Sequence, residues 1–250
     1  MSVVFAPSLG DVTGFLAHRT LKDLSDDPAN LTRAVLDAAR RTGATHVLFP
    51  FDSCVLAEAC GVPIDWSGGG PTLGSPTRDV SPADLEPQEV MMAGRVPFVL
   101  QAAKYISSSA RLAADVPSAS FLMAQLGRHM ENADDLNAAE DLCVAFARGL
   151  LEASASLLVV RTDNSESVKP VELSLRRLAD HFGARLAVVD SDLSIAVLPA
   201  ARWVPGGSPN TPEIVDDRTA VVLTDGPVFP GSDLSLIQSF AETLVARGSC

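Results

Sequence analysis

The residue best placed to do chemistry is Asp52, which closes the apolar run Val47-Leu48-Phe49-Pro50-Phe51. A carboxylate leaving the C-terminal end of a buried strand lies where barrel and doubly wound folds collect their ligands. There it can hold a cationic or NH-rich group and stabilise positive charge that develops during a reaction. The plainer alternative is an aspartate that only caps a loop. A second set follows the run Leu157–Val160, with Arg161 suited to a bidentate grip on a substrate carboxylate. Asp163 is a second candidate catalytic carboxylate and Asn164 a binding residue at the same mouth, and for Arg161 a structural ion pair is equally open. Asp190, with Asp192 beyond it, follows Leu186–Val189, and Asp225 follows Val221–Leu223. Carboxylates at several strand ends can bind substrate or a hard cation such as Mg²⁺, or can simply cap turns. Glu58, on a short helix, is a further binding candidate. His18, near the point where the first strand empties, has a side chain that exchanges protons near neutrality.

Other patterns carry less. The run Gly68-Gly69-Gly70 lacks the Lys-Ser/Thr that makes a phosphate loop, and no nucleophile elbow is present. Cys54, Cys60, Cys143 and Cys250 are scattered without a CxxC pair, which predicts reduced thiols, with Cys54 and Cys60 as buried inert ones. His46 precedes a buried run and reads as structural; His129 and His181 fall on predicted helices as surface residues.

Positioning these groups requires alternating strands and helices. Val3–Ala6 reads as a strand stopped by Pro7. Asp26 or Asp27 caps a helix with Pro28 in its first turn and Leu31, Val35 and Ala38 on one face, and Arg40, Arg41 and Gly43 end it. THVLFPFD follows as a strand, and so short a strand–helix–strand connection implies a parallel unit. Residues 57–84 form a long Gly/Pro-rich loop. Further on come a helix over Val96–Ala114, a weak strand at Ser118–Met123, a helix over Leu136–Ala155 and a strand at Leu157–Val160. A helix over Val171–Phe182, a strand at Leu186–Val189, a proline-rich loop over Ala200–Asp217 and a strand at Val221–Leu223 follow. A closing helix is capped by Ser232, with Leu236, Ile237, Phe240 and Leu244 inward. About six parallel strands alternating with helices make an α/β fold in one domain spanning residues 1–250.

Charge narrows the partners. A formal net charge of −12 argues against a phosphate-backbone ligand such as nucleic acid. No apolar run approaches the roughly 20 residues that span a bilayer, and MSVVFAPSLG lacks the basic start of a secretory leader. A cytoplasmic setting is the expectation.

The segment from Phe49 to Asp65, PFDSCVLAEACGVPID after its first residue, resembles a signature of the uroporphyrinogen decarboxylase superfamily. There a strand delivers an aspartate, then a helix of the EAEALG type, then a short apolar-acidic strand. The spelling is closer to the corrinoid-dependent methyltransferase branch. Val4–Pro7 with the helix to Arg41 is similar to that family's first βα unit, and VVLTDGPVFPGSDLSLIQSF to its last. The resemblance implies a barrel of (β/α) type, here contracted, because two long loops use length that eight strands would need in a typical ~250-residue barrel. Methyltransferases of the family carry a His-x-Cys pair and a later Cys that bind zinc. The corresponding stretches here are Val189-Asp190-Ser191-Asp192 and Thr224-Asp225-Gly226-Pro227, from which no soft-donor site can be assembled. The arginine-rich N-terminal segment of true uroporphyrinogen decarboxylases is also missing.

The resemblance therefore implies a zinc-independent methyltransferase-like enzyme, or a subunit of a methyl-transfer system linked to a corrinoid or tetrahydrofolate, with a corrinoid protein as a possible partner. The alternatives are a metal-free decarboxylase or lyase using Asp52 and Arg161 on a small carboxylated substrate, and a non-catalytic protein that binds a ligand or partner. An incomplete barrel would leave a sheet edge or apolar helix faces, so a homodimer or a covering partner is expected.

Overall fold

The structure, a computed structural model, describes residues 4–67, 70–75, 80–128, 132–162, 168–190, 201–204 and 221–227, together with residues 238, 239, 241, 242 and 246. The chain opens with strand β1 (Val4–Ser8), helices α1 (Gly10–Leu16), α2 (Leu21–Leu24) and α3 (Pro28–Thr42), and strand β2 (Val47–Phe49). Helix α3 shows how local chemistry sets an element. Asp27 Oδ1 accepts the N–H groups of Ala29 (2.8 Å) and Asn30 (3.5 Å), and Pro28 needs no partner in the first turn. Leu31, Val35 and Ala38 are buried along one face, and Gly43 ends the helix at φ +67°, a conformation that favours glycine.

Helix α4 (Val55–Ala59) follows Asp52, and then a small antiparallel hairpin, β3 (Ile64–Asp65) with β4 (Thr72–Leu73). The span expected as a single loop thus contains structure of its own, including a 3₁₀ turn at Pro82–Asp84. Helices α5 (Pro87–Met91) and α6 (Val96–Ser107), strand β5 (Leu112–Pro117), and helices α7 (Ala119–Gln125) and α8 (Ala133–Glu152) come next. The remainder is β6 (Leu157–Thr162), α9 (Val168–Phe182), β7 (Arg185–Asp190), β8 (Ala201–Val204) and β9 (Val221–Pro227).

Two readings of the sequence are corrected here. The helix expected to reach Ala114 stops at Ser107, and Leu112–Pro117 is a strand. Ser118–Met123 is not a strand, because Ser118 Oγ accepts the Phe121 N–H (3.1 Å) and caps α7. LAADVP has little β-branched character, but burial on both faces of a parallel sheet outweighs propensity. The proline-rich loop from Ala200 contains β8. The inward side chains expected for the closing helix lie outside the described residues.

Among the described residues seven strands are parallel, in two ladders, β8-β9-β1 and β2-β5-β6-β7. The ladders adjoin on both sides: β1 lies beside β2 and β7 beside β8. At the first junction the N–H groups of Thr45 and His46 both donate to Phe5 O, at 2.9 and 3.1 Å. The parallel strands thus follow one another in chain order, a contracted barrel-like arrangement. Strand alternation divides the core in two. Val4, Ala6, Leu48, Ala113, Leu157, Val159, Ala187 and Val189 form an inner apolar cluster. Their neighbours Phe5, Val47, Phe49, Leu112, Ala114, Leu158 and Val188 pack outward against the helices. No helix among the described residues is long and apolar enough to cross a membrane.

Candidate functional site

The C-terminal ends of β2, β5 and β6 carry a polar cluster above the inner apolar layer. Asp52 follows β2, and its side chain is only 7% exposed. Its Oδ1 accepts the Cys54 N–H at 2.8 Å, which folds the turn into α4. Its Oδ2 accepts from Arg95 Nη1 at 2.5 Å, and Arg95 Nε donates to Glu58 Oε2 at 2.6 Å. Arg95 sits at the start of α6, directly after Gly94, whose φ of +53° turns the chain close against α4. The Arg95 guanidinium carbon lies 5.0 Å from the Trp66 ring centre, a cation–π contact from the segment joining β3 to β4. Burial works against the charge of Arg95, but the two carboxylates outweigh it and push its pKa up. Its Nη2 is buried with no hydrogen-bond partner among the described residues.

Asp115 continues the inner face of β5 beyond Ala113, and Arg161 that of β6 beyond Val159. The Arg161 Nε–H is shared between Asp115 Oδ1 (2.9 Å) and Oδ2 (2.7 Å). Burial pushes the Asp115 carboxyl up; Arg161 opposes this, and the nearby Asp52 carboxylate adds to it. The two aspartates are therefore close enough to feel each other, and each is held by its own arginine. Gln125 Nε2, from the end of α7, donates to Ser53 O at 3.1 Å and ties α7 to the Asp52 turn. The result is three carboxylates and two guanidiniums held in two adjoining ion-paired groups, a preorganised charged layer at the strand ends.

The structure therefore joins Asp52 with Glu58 and places Arg161 beside Asp52 through Asp115. Arg161 forms an ion pair, the alternative left open from sequence. His18 lies on an exposed turn at the end of α1, at φ +52°, and makes none of the contacts of the Asp52 cluster among the described residues. Asp190 ends β7 and Asp225 lies in β9; Asp163, Asn164, Asp192 and His129 lie outside the described residues. Cys54 and Cys60 are buried thiols pushed up to about 12, both by burial, with the Asp52 carboxylate adding to the shift of Cys54. Among the described residues no group of three or more His, Cys, Asp or Glu is placed to hold a metal ion.

Sequence reasoning missed Arg95, Trp66 and Asp115. A charge inside the apolar run Leu112–Pro117 was the available signal for Asp115. Arg95 pairs with residues 37 and 43 positions away, which no local pattern announces.

A parallel α/β ring with its polar groups at the carboxyl ends of the strands defines the class. Residues 12–127 match the uroporphyrinogen decarboxylase (URO-D) family model, and this span holds Asp52, Glu58, Arg95 and Asp115. That part of the chain is thus similar to the uroporphyrinogen decarboxylase family, and the fold as a whole is similar to that of a solved methyltransferase. A methyltransferase from Methanosarcina mazei superposes with a TM-score of 0.75 at 15% identity, covering 100% of this chain and 95% of that one. Among curated proteins, none matches.

Proposed function

We propose that this chain is a methyltransferase-like enzyme, or a subunit of a methyl-transfer system, in which the strand-end mouth around Asp52 receives a small substrate or the methyl carrier. The observation that carries the reading is the fixation of Asp52. One oxygen is held by the Cys54 N–H and the other by Arg95, so the carboxylate is aimed before a ligand arrives. The structural likeness to a methyltransferase supports the direction of the proposal. A corrinoid or tetrahydrofolate carrier, a corrinoid protein as partner and a homo-oligomer belong to the same reading. Zinc independence is supported by residue types, since Asp190 and Asp225 offer oxygen where the family's soft donors fall.

The test is equilibrium binding of methylcobalamin and of methyltetrahydrofolate to the full chain, read by calorimetry and native mass spectrometry. Binding of one of them, weakened at least tenfold in Asp52→Asn with an unchanged thermal midpoint, is expected. Failure of both carriers to bind refutes the proposal. A second reading, a metal-free decarboxylase or lyase, is favoured by the two guanidiniums beside the paired aspartates, which suit a carboxylated substrate. Release of CO₂ from such a substrate without any methyl carrier would select it.

A further inference from the structure

Beside its buried face, helix α3 carries a second stripe. Arg33, Ala34, Asp37 and Arg40 recur every three or four residues and so share one side of the helix. Across from them stand Leu16 and Ala17 at the end of α1, Arg19 in the turn that follows, and Leu24 of α2. Between the two sides lies a groove of about 410 Å³, within the range of small-molecule sites.

Its charge is opposite to that of the molecule. The chain carries a net charge of −12, yet three arginines line the groove against the carboxylate of Asp37. That carboxylate is already met by two guanidiniums, Arg41 Nε at 2.9 Å and Arg40 Nη2 at 3.5 Å. The Arg40 side chain is 76% exposed, and a pair so open to water holds it weakly. Arg19 lies near the exposed Asp23 carboxylate. The Arg33 side chain, also exposed, has no ion pair or hydrogen bond among the described residues. The groove therefore offers cations in excess of its own anions, around a lining of Leu16, Ala17, Leu24 and Ala34.

We infer that this groove is a second binding site, taking an elongated dianion with an apolar middle, an α,ω-dicarboxylate. Arg33 receives one carboxylate and Arg40 the other, and Arg19 adds its charge from the facing side. The methylene chain lies against Leu16, Ala17, Leu24 and Ala34. Arg33 and Arg40 are separated by two helical turns, about 10 Å along the axis, a span that an extended decanedioate matches. Guanidinium–carboxylate contacts then fix the two ends, and the apolar lining removes the chain between them from water. The site is built from α1, α2 and α3 without any residue of the Asp52 cluster, so it does not rest on the function proposed above.

The experiment is calorimetric titration of the full chain with decanedioate at low ionic strength, where surface charges are least screened. Saturable binding of one dianion per chain is expected. Decanoate, with the same chain and one carboxylate fewer, should bind roughly tenfold more weakly, the loss of one charged hydrogen bond. Arg33→Gln should cost a similar factor at an unchanged thermal midpoint, and Arg33→Lys should keep part of the affinity. Arg111→Gln, at an exposed arginine outside the groove, and Asp52→Asn should both leave binding as it is. A titration that never saturates, decanoate binding as tightly as decanedioate, or Arg111→Gln costing as much as Arg33→Gln would each overturn the inference.

Discussion

Replacing Arg161 by methionine removes the ion-pair partner of the buried Asp115 carboxylate. The Asp115 side chain is 3% exposed and its carboxylate receives both contacts from the Arg161 Nε–H, at 2.7 and 2.9 Å. Methionine fills similar volume but leaves the carboxylate uncompensated beside Asp52. Breaking a buried pair in this way typically costs about 3–5 kcal/mol. Because Arg161 itself is 24% exposed, the lower end applies, about 3 kcal/mol. In a chain of this size that corresponds to roughly 6–12 °C in Tm. The sign with pH follows from the direction of the Asp115 shift. Burial lifts its carboxyl above the ordinary range, so the folded chain takes up this proton more readily than the unfolded one. That contribution is present at acid pH and lost as the pH rises through the folded-state value. Without Arg161 the folded value moves further up, so the deficit of the variant against the parent should be smaller at acid pH and grow as the pH rises towards neutrality and above. Paired thermal scans by circular dichroism across this range measure it, and Asp115→Leu combined with Arg161→Met should recover most of the loss. A deficit that ignores pH, or a double variant no better than the single one, would refute the account.

Other outcomes follow from the same structure. Because the His46 pKa is depressed to about 4, its unfolded form binds the extra proton first; stability should fall as the pH drops from about 6.5 towards 4, by up to roughly 3 kcal/mol, and His46→Gln should flatten this limb in urea titrations. Cys54, Cys60 and Cys143 should resist alkylation by iodoacetamide at about pH 8 until the chain unfolds, as peptide mass mapping would show. Gly43→Ala should lose about 1–2 kcal/mol in chemical denaturation, since φ is +67° and the new Cβ would stand 3.0 Å from Ala241 Cβ.

Punctuation made the first βα unit readable. Asp27, Pro28 and Gly43 each act through their own backbone neighbourhood, and α3 forms where they place it. Asp52 was readable for a related reason, because an apolar run followed by a carboxylate puts that carboxylate just past a strand end. Strand β5 was not, since Ala113 and Ala114 favour a helix in isolation and become strand only by pairing with β2 and β6. Arg95 escaped because its role depends on α6 docking against α4, a contact between segments more than 35 residues apart in sequence. The inner and outer faces of each strand likewise emerge only when the ladders are aligned in register.

The inner face also explains why the polar cluster sits where it does. Seven parallel strands form the ring among the described residues, and even eight leave an interior that side chains just fill. Ala6, Ala113 and Ala187 among the inner residues meet that constraint with small side chains beside Val4, Leu48 and Leu157. One step towards the carboxyl ends, the same face changes from alanine and valine to Asp115 and Arg161. A buried ion pair gains little over well-packed apolar residues and is often inferior to them in stability. Its occurrence at this level is therefore not accounted for by packing, and the nearby Asp52, with an arginine of its own, extends the same charged layer to a neighbouring strand. Two arginine-held aspartates, one just past β2 and one on β5, form a pair whose separation the β2–β5 ladder helps to set, and such fixed charge is what the proposed function would use.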